Sequence, residues 1–404
     1  MKRALMLLFK DIHYDARVMR EATALAERGW QVCIACLDIL TEPLPNLHEN
    51  IELIRISITT KRLKRNVDAV AGQQSAASRF TYRLIRNPFV KLAKDLFAQR
   101  EFCEKVIREM TGRTVHVVHC HDLNTLNVGV AIKRRLNIPH LIYDSHELYN
   151  EMNGKKWFER QMGYVVEKKY VAHADFVITV NEYLKDALKR RYPLSNIVIL
   201  RNCQPFFHVE EVEHRYFHRR YHLAESDRVV LYQGGLTSSR GLEELVAAVK
   251  YLPDYIHAVF LGYGDLKPKL QSLVRDLQLE AQIHFHDAVP PAQLLHYTSS
   301  ADAGVVLYKN TCQNNYLSTP NKIYEYMQAE IPVVSSDHPG KSVVVRKAGT
   351  GVLVDPESPR DIADGILSVL KDRDRYVANC KKYKLVYSWE KEQSALIELY
   401  SQLG

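Results

Sequence analysis

The 404-residue chain has no apolar run near the roughly 20 residues needed to cross a bilayer. Its first apolar run, residues 4–9, is too short for a secretory leader. Lys10 and Asp11 end it, and no small-residue cleavage site follows. These absences predict a cytoplasmic protein. Cysteine is sparse: seven residues, with a single C-x-x-C at Cys33 and Cys36 and no second pair at zinc-ribbon spacing. Residues three apart on a strand point to opposite faces, so this pair reads as two buried thiols in a reducing compartment. The chain also lacks low-complexity tracts, short-period repeats and any nucleic-acid recognition motif, so no nucleic-acid partner is expected.

What is present is an ordinary globular balance, 46% hydrophobic and 25% charged, with length enough for two domains of about 200 residues. The net charge of +8 is localised. Residues 61–113 hold 13 Lys/Arg against 5 Asp/Glu, and the rest of the chain carries 42 of each. Arg79, Arg83 and Arg86 are spaced to share a helical face, with Phe80, Leu84, Phe89, Leu92, Leu96 and Phe97 among the charges. A basic amphipathic helix of this kind predicts an anionic membrane surface as partner. The alternative is a solvated helical face that covers the sheet.

Short apolar runs alternate with longer helical patterns throughout, as in α/β folds. In the first half, strands are expected at 4–9, 32–37, 51–56, 115–119, 140–143, 176–180 and 197–200, with a helix at 15–28 and basic helices over 79–110. The pattern breaks at 202–228 and restarts with strands at 229–232, 258–261, 283–286, 304–307, 333–335 and 351–354. Helices are expected there at 241–251, 266–277, 291–299, 321–329, 359–371 and 388–402. The expected fold is therefore two Rossmann-like domains, 1–202 and 203–387, facing across a cleft. Ligands of such sheets bind at the carboxyl ends of the strands.

Four stretches could carry chemistry there. In YQGGLTSSRG (232–241) a strand runs into Gly234 and Gly235, whose amides can approach a phosphate, and Arg240 can grip phosphate with two hydrogen bonds. In NYLSTPNKIYEYMQA (315–329), Pro320 suits a first helical turn and Ser318 or Thr319 is the expected cap. Lys322 and Glu325 share one face of that helix, and a carboxylate there can accept both hydroxyls of a ribose. HCHD (119–122) and YDSHEL (143–148) are expected just after strands, on the ligand-binding rim of the first sheet. His119 and His121 are expected to alternate sides of the extended chain, which disfavours joint metal ligation. Gly262, in the G-x-G at 262–264, marks another tight strand-to-helix turn.

Taken together the chain resembles glycosyltransferase family 4, retaining enzymes of the GT-B architecture, over nearly its whole length. DARVMREATALAERGWQV, HCHDLNTL, YDSHELYNE, YQGGLTSSRGLEEL, FLGYGD and PNKIYEYMQAEIPVVSSD carry the resemblance. It implies that the second domain binds a nucleotide-sugar donor. Glu325 matches the ribose-binding glutamate, Arg240 the basic residue on the diphosphate, and His121 the histidine that reaches the transferred sugar. His286 opens the loop expected beside the base. YSWEKEQSALIELY looks like a closing helix (388–404) that returns to the first domain. Lys10, Asp11, Asp144, His146 and Glu147 are the acceptor-side candidates. Three departures stand out: Gly235 replaces an arginine, Leu317 replaces a first glutamate, and residues 10–14 replace a glycine-rich loop.

The resemblance implies sugar transfer with retention and without metal or other cofactor, to a carbohydrate or lipid-linked acceptor. Two alternatives share the architecture: a sugar-nucleotide epimerase, and a non-catalytic subunit that binds nucleotide-sugar for a partner.

Overall fold

The computed structural model describes residues 2–40, 46–59, 88–211 and 215–403. Arg79, Arg83 and Arg86, with Phe80 and Leu84, lie outside the described residues. Within them the chain forms two parallel sheets. The first has seven strands in the order β3-β2-β1-β4-β5-β6-β7. These are β1 (Arg3–Leu7), β2 (Gln31–Leu37), β3 (Ile51–Ile56), β4 (Val117–His121), β5 (His140–Ser145), β6 (Phe176–Thr179) and β7 (Ile197–Ile199). The second has six, ordered β10-β9-β8-β11-β12-β13. They are β8 (Arg228–Gln233), β9 (Ile256–Leu261), β10 (Ile283–His286), β11 (Ala303–Val306), β12 (Val333–Ser336) and β13 (Gly351–Val354).

Parallel sheets are covered on both faces, which is why their strands read as continuous apolar runs. Cys33 and Cys36 illustrate it: both are buried and free, and they enter separate cores on opposite faces of the first sheet. One face is covered by α1 (Ala16–Ala26) and the other by α2 (Pro88–Met110), α3 (Leu123–Arg135) and α4 (Trp157–Val171). After α4 come α5 (Glu182–Arg191) and α6 (Tyr216–Tyr221). Around the second sheet lie α7 (Leu242–Val249), α8 (Lys267–Asp276), α9 (Leu294–Thr298), α10 (Gln313–Leu317), α11 (Asn321–Gln328), α12 (Pro339–Ala348), α13 (Pro359–Lys371) and α14 (Arg373–Tyr383). The last helix, α15 (Trp389–Ser401), leaves the second domain and packs on the first. Leu396, Leu399 and Tyr400 join Ala4, Met6 and Val18 in one core. Fully burying each such side chain contributes about 1.5–3 kcal/mol.

Sheet order fixes the site. In each sheet the chain reverses its direction of winding once, between β1 and β4 and again between β8 and β11. Loops diverge at such points and leave a crevice.

Candidate functional site

At the first crevice, β4 runs two residues further than its apolar run suggested. His119 and His121 are therefore strand residues, and side chains two apart on a strand share a face. Their rings stack, with centroids 4.3 Å apart. The expectation that they alternate sides is corrected. His121 pairs in register with Asp144 on β5, and both are fully buried.

Asp144 accepts a two-pronged bond from the buried Arg17 of α1, Nε to Oδ2 at 3.1 Å and Nη2 to Oδ2 at 2.9 Å. Burial opposes its charge, but Arg17 and then His146 hold its pKa well below the usual carboxylate range. His146 Nε2 lies 3.0 Å from Asp144 Oδ2 and 3.2 Å from His121 Nδ1. Burial raises the pKa of Glu21, which lies against Arg17 at 2.8 Å. Glu21, His119, His121 and Asp144 bring ligand-capable atoms within 4.8 Å of one another, so the geometric objection to joint ligation does not hold. Arg17 supplies positive charge to both carboxylates of this group. His119 Nδ1 reaches the Tyr400 hydroxyl at 3.0 Å, which ties α15 to the cluster. Asp122, next to His121, sits at φ +66°, a conformation costly for a non-glycine residue.

The other candidates on this rim divide. Glu147 accepts from Asn314 of the second domain at 2.7 Å, and Asn314 also accepts from the Leu148 amide at 3.0 Å. Lys10 pairs with Asp15 at 2.7 Å. Asp11 is a loop clamp: its carboxylate accepts from the amides of His13, Ile39 and Leu40 and is 1% exposed. Burial would raise its pKa, but these bonds and the His13 ring bring it to about 2. These bonds commit its carboxylate to the neighbouring loop.

At the second crevice, Gly234 follows Gln233, the last residue of β8, at φ +110°, where an added Cβ would lie 2.9 Å from Lys322 Nζ. Glycine is needed there so that Lys322 can lie across the loop. Gly262 is a close approach of chain to chain instead, since a Cβ there would sit 2.0 Å from Gly234 O. It positions the glycine loop. Gly235 is exposed, and a Cβ there meets only Thr237, at 3.7 Å.

Arg240 stacks on Tyr308, its Cζ 3.8 Å from the ring centroid. Lys341 and Lys322 reach the same ring at 5.2 and 5.8 Å. Lys341, on α12, is fully buried and donates to the carbonyls of Asn315 and Ser318, the latter at 3.1 Å. Burial and the neighbouring Arg240 push its pKa down to about 7. Glu325 accepts from Gln233 at 2.6 Å, and Gln233 in turn accepts from Thr298 at 2.7 Å. Burial raises the Glu325 pKa against the pull of Lys322 and this bond.

Neither Ser318 nor Thr319 caps α11. Pro320 is the residue before its first turn, and no side chain caps the helix. Thr319 instead donates to Gly340 O and accepts from Asn181 of the first domain at 3.0 Å. Ser318 offers its carbonyl to Lys341. The uncapped amides of α11 thus start beside Lys322 and Glu325, and such a helix start favours anions. Leu317 is buried in the first domain's core, so no side chain there reaches the cleft as a carboxylate would. His286 ends β10, bonds Tyr216 at 2.9 Å, and forms an aromatic wall with Tyr216 and Tyr297.

Two family models match: "Glycosyl transferase 4-like domain" over residues 14–203 and "Glycosyl transferases group 1" over 215–385. The chain belongs to the group 1, family-4-like glycosyltransferases. An uncharacterised glycosyltransferase of Methanocaldococcus jannaschii is 26% identical over 297 residues, covering 70% of this chain and 74% of that protein. D-inositol 3-phosphate glycosyltransferase of Xylanimonas cellulosilytica is 23% identical over 310 residues, covering 71% and 72%. Sucrose-phosphate synthase of Thermosynechococcus elongatus shares the fold at TM-score 0.78 and 18% identity, covering 100% of this chain and 99% of its own. HepE of Anabaena, solved with UDP, does so at 0.70 and 13%, covering 100% of both chains. In this glycosyltransferase the rims of the two sheets meet at the domain interface, where Glu147 and Leu148 bond Asn314 and Asn181 bonds Thr319.

Sequence reasoning missed Lys341, Gln233, Tyr308, Asn181 and Asn314. A lysine amid the valines of 343–345 carries no motif, and the two asparagines matter only once the domains meet.

Proposed function

We propose that this glycosyltransferase takes a sugar from a nucleotide-diphosphate donor held on the second domain and transfers it, with retention, to a carbohydrate or lipid-linked acceptor. The observation that carries the reading is the set of three basic side chains gathered on Tyr308, Arg240, Lys322 and Lys341, with the Glu325 carboxylate near Lys322. A diphosphate supplies the charge that such a set lacks, and Glu325 accepts from the ribose hydroxyls. UDP bound to HepE, a protein of the same fold, supports the donor class. The anomeric carbon–oxygen bond to the diphosphate breaks, and negative charge gathers on the leaving phosphate. Arg240, Lys322 and the start of α11 stabilise that charge more in the transition state than before it. His121 orients the sugar from the first domain. An acceptor hydroxyl attacking from the leaving-group face forms the new carbon–oxygen bond, gives its proton to the departing phosphate oxygen, and needs no protein nucleophile, metal or cofactor. Closure of the cleft keeps water from the donor.

The test is to incubate the purified protein with separate nucleotide-sugars and to measure binding and release of nucleoside diphosphate with and without candidate acceptors. Binding of one donor, with release dependent on acceptor, supports transfer. Conversion of the donor sugar without acceptor would establish an epimerase instead, and binding without turnover on any acceptor a non-catalytic subunit.

A further inference from the structure

Helix α4 is built inside out. Its inward side is polar: Glu167 is buried and accepts from Tyr143 at 2.9 Å, Tyr192 at 2.7 Å and Asn150 at 2.7 Å. Arg160 and Tyr164 reach Glu151, and Gly163 lies against Asn150. Its outward side carries four large apolar residues beside Gln161, Lys168 and Lys169. Trp157 is 71% exposed and Val165 70%, with Met162 and Val166 also exposed. At 100° per residue these four fall within one half of the helix, opposite Glu167. Val171 and Tyr170 anchor the end of α4 in the core, but along the rest of its length hydrogen bonds carry much of the attachment, and Trp157, Met162, Val165 and Val166 are left exposed. Lys156 stands exposed at its start, and Lys168 and Lys169 in its last turn. Leu96 and Phe97 of α2, in the same helical layer, are exposed as well.

We propose that α4 docks this protein in plane on an anionic lipid surface, with Trp157, Met162, Val165 and Val166 entering the headgroup boundary and Lys156, Lys168 and Lys169 meeting lipid phosphates. An aromatic-and-aliphatic stripe flanked by lysines matches such a surface in both polarity and charge. No described helix is long and apolar enough to span a membrane. The placement links docking to the cleft. The segment that leads into α4 carries Glu147 and Leu148 against Asn314, and Asn153 bonds Ser239 of the second domain at 3.0 Å. A bilayer under α4 lies beside the cleft mouth, where a lipid-linked acceptor enters. The inference extends the membrane reading of the basic segment 61–113 to a different surface, and the two are separable.

Trp157 is also a reporter. The other two tryptophans, Trp30 and Trp389, are buried at 8% exposure each. Vesicles of phosphatidylcholine with phosphatidylglycerol are added at low salt, and tryptophan emission and co-sedimentation are recorded. The expected result is a blue shift, protection from an aqueous quencher, and co-sedimentation that pure phosphatidylcholine does not support. The double variant Trp157→Ser/Val165→Ser lowers partitioning by about tenfold or more. It leaves donor binding unchanged, which shows that it is folded. The variant Arg79→Gln/Arg83→Gln/Arg86→Gln tests the basic segment separately. Loss in the double variant but not the triple one supports α4 and removes the basic segment; loss in both supports α4 with the segment as an aid. Loss in the triple variant alone, or no binding by the wild type, overturns the proposal. So does concentration-dependent dimerisation abolished by Trp157→Ser, since the face then belongs to a second copy.

Discussion

His146 in the first domain lies between Asp144 and Asp122, and although burial acts to lower its pKa, those carboxylates lift it to about 9. Lys341 in the second domain goes the other way: burial, and then Arg240, bring it to about 7. His146 is carried by its neighbouring carboxylates, and Lys341 chiefly by its burial. The first crevice matches charge among its own side chains, with Arg17 and His146 set against Asp144 and Asp122. The second gathers Arg240, Lys322 and Lys341 around one ring, with the Glu325 carboxylate near Lys322. A matched cluster holds a geometry, whereas a set of basic groups held on one ring by cation–π contact favours an anionic ligand. On this reading the first domain positions and the second binds charge.

The most severe way to break that contrast is Arg17→Met. It leaves Asp144 buried with only the His146 and His121 rings, at an expected cost of about 3–5 kcal/mol of stability by urea denaturation. A small cost would mean that the first crevice is not held by its charge matching. Arg240→Ala is expected to lower turnover about 10²–10³-fold with a lesser effect on donor affinity, because leaving-group charge peaks in the transition state. Steady-state kinetics beside direct titration decides it, and a loss confined to the Michaelis constant would make Arg240 a binding residue only. Glu325→Gln is expected to weaken donor binding by about 1.5–3 kcal/mol in titration calorimetry with the fold intact. Unchanged affinity would remove Glu325 from the site.

The smallest effects are also the most direct on the comparison. His146 has a folded pKa above its ordinary 6.5, so its stabilisation is full below pH 6.5 and is lost as pH rises through about 9. Lys341 has a folded pKa below 10.5, so the folded state binds fewer protons than the unfolded one between about 7 and 10.5, and stability rises with pH there. Between pH 7 and 9 the two slopes oppose. His146→Gln should leave a stability that climbs with pH, and Lys341→Met one that falls, each by at most about 1.4 kcal/mol per pH unit. Denaturation midpoints across that range check both signs; the same tilt in both variants would end the contrast.

Local chemistry was written in the sequence. Alternating apolar runs announced two parallel sheets, and the patterns at 51–56 and 359–371 match β3 and α13 at both ends. Glycine spacing after β8 and the Lys322–Glu325 interval marked the second crevice, because turns and helical faces are set by residues a few positions apart. Where local signals misled, tertiary contact decided. α12 carries three successive valines, poor helix formers, yet packing against β12 and β13 keeps it helical. β4 extends through two histidines because β5 pairs with them and α15 supplies a hydroxyl to one. Strand order placed β1 beside β4 and β8 beside β11, and so chose which loops form crevices. Asn181, Asn314 and Lys341 entered the site from across domains or from another helix, through contacts more than 20 residues apart in sequence. Partners that meet only when the chain folds leave no periodicity behind, so the sequence determined the elements and their chemistry, and the packed structure determined which side chains share a site.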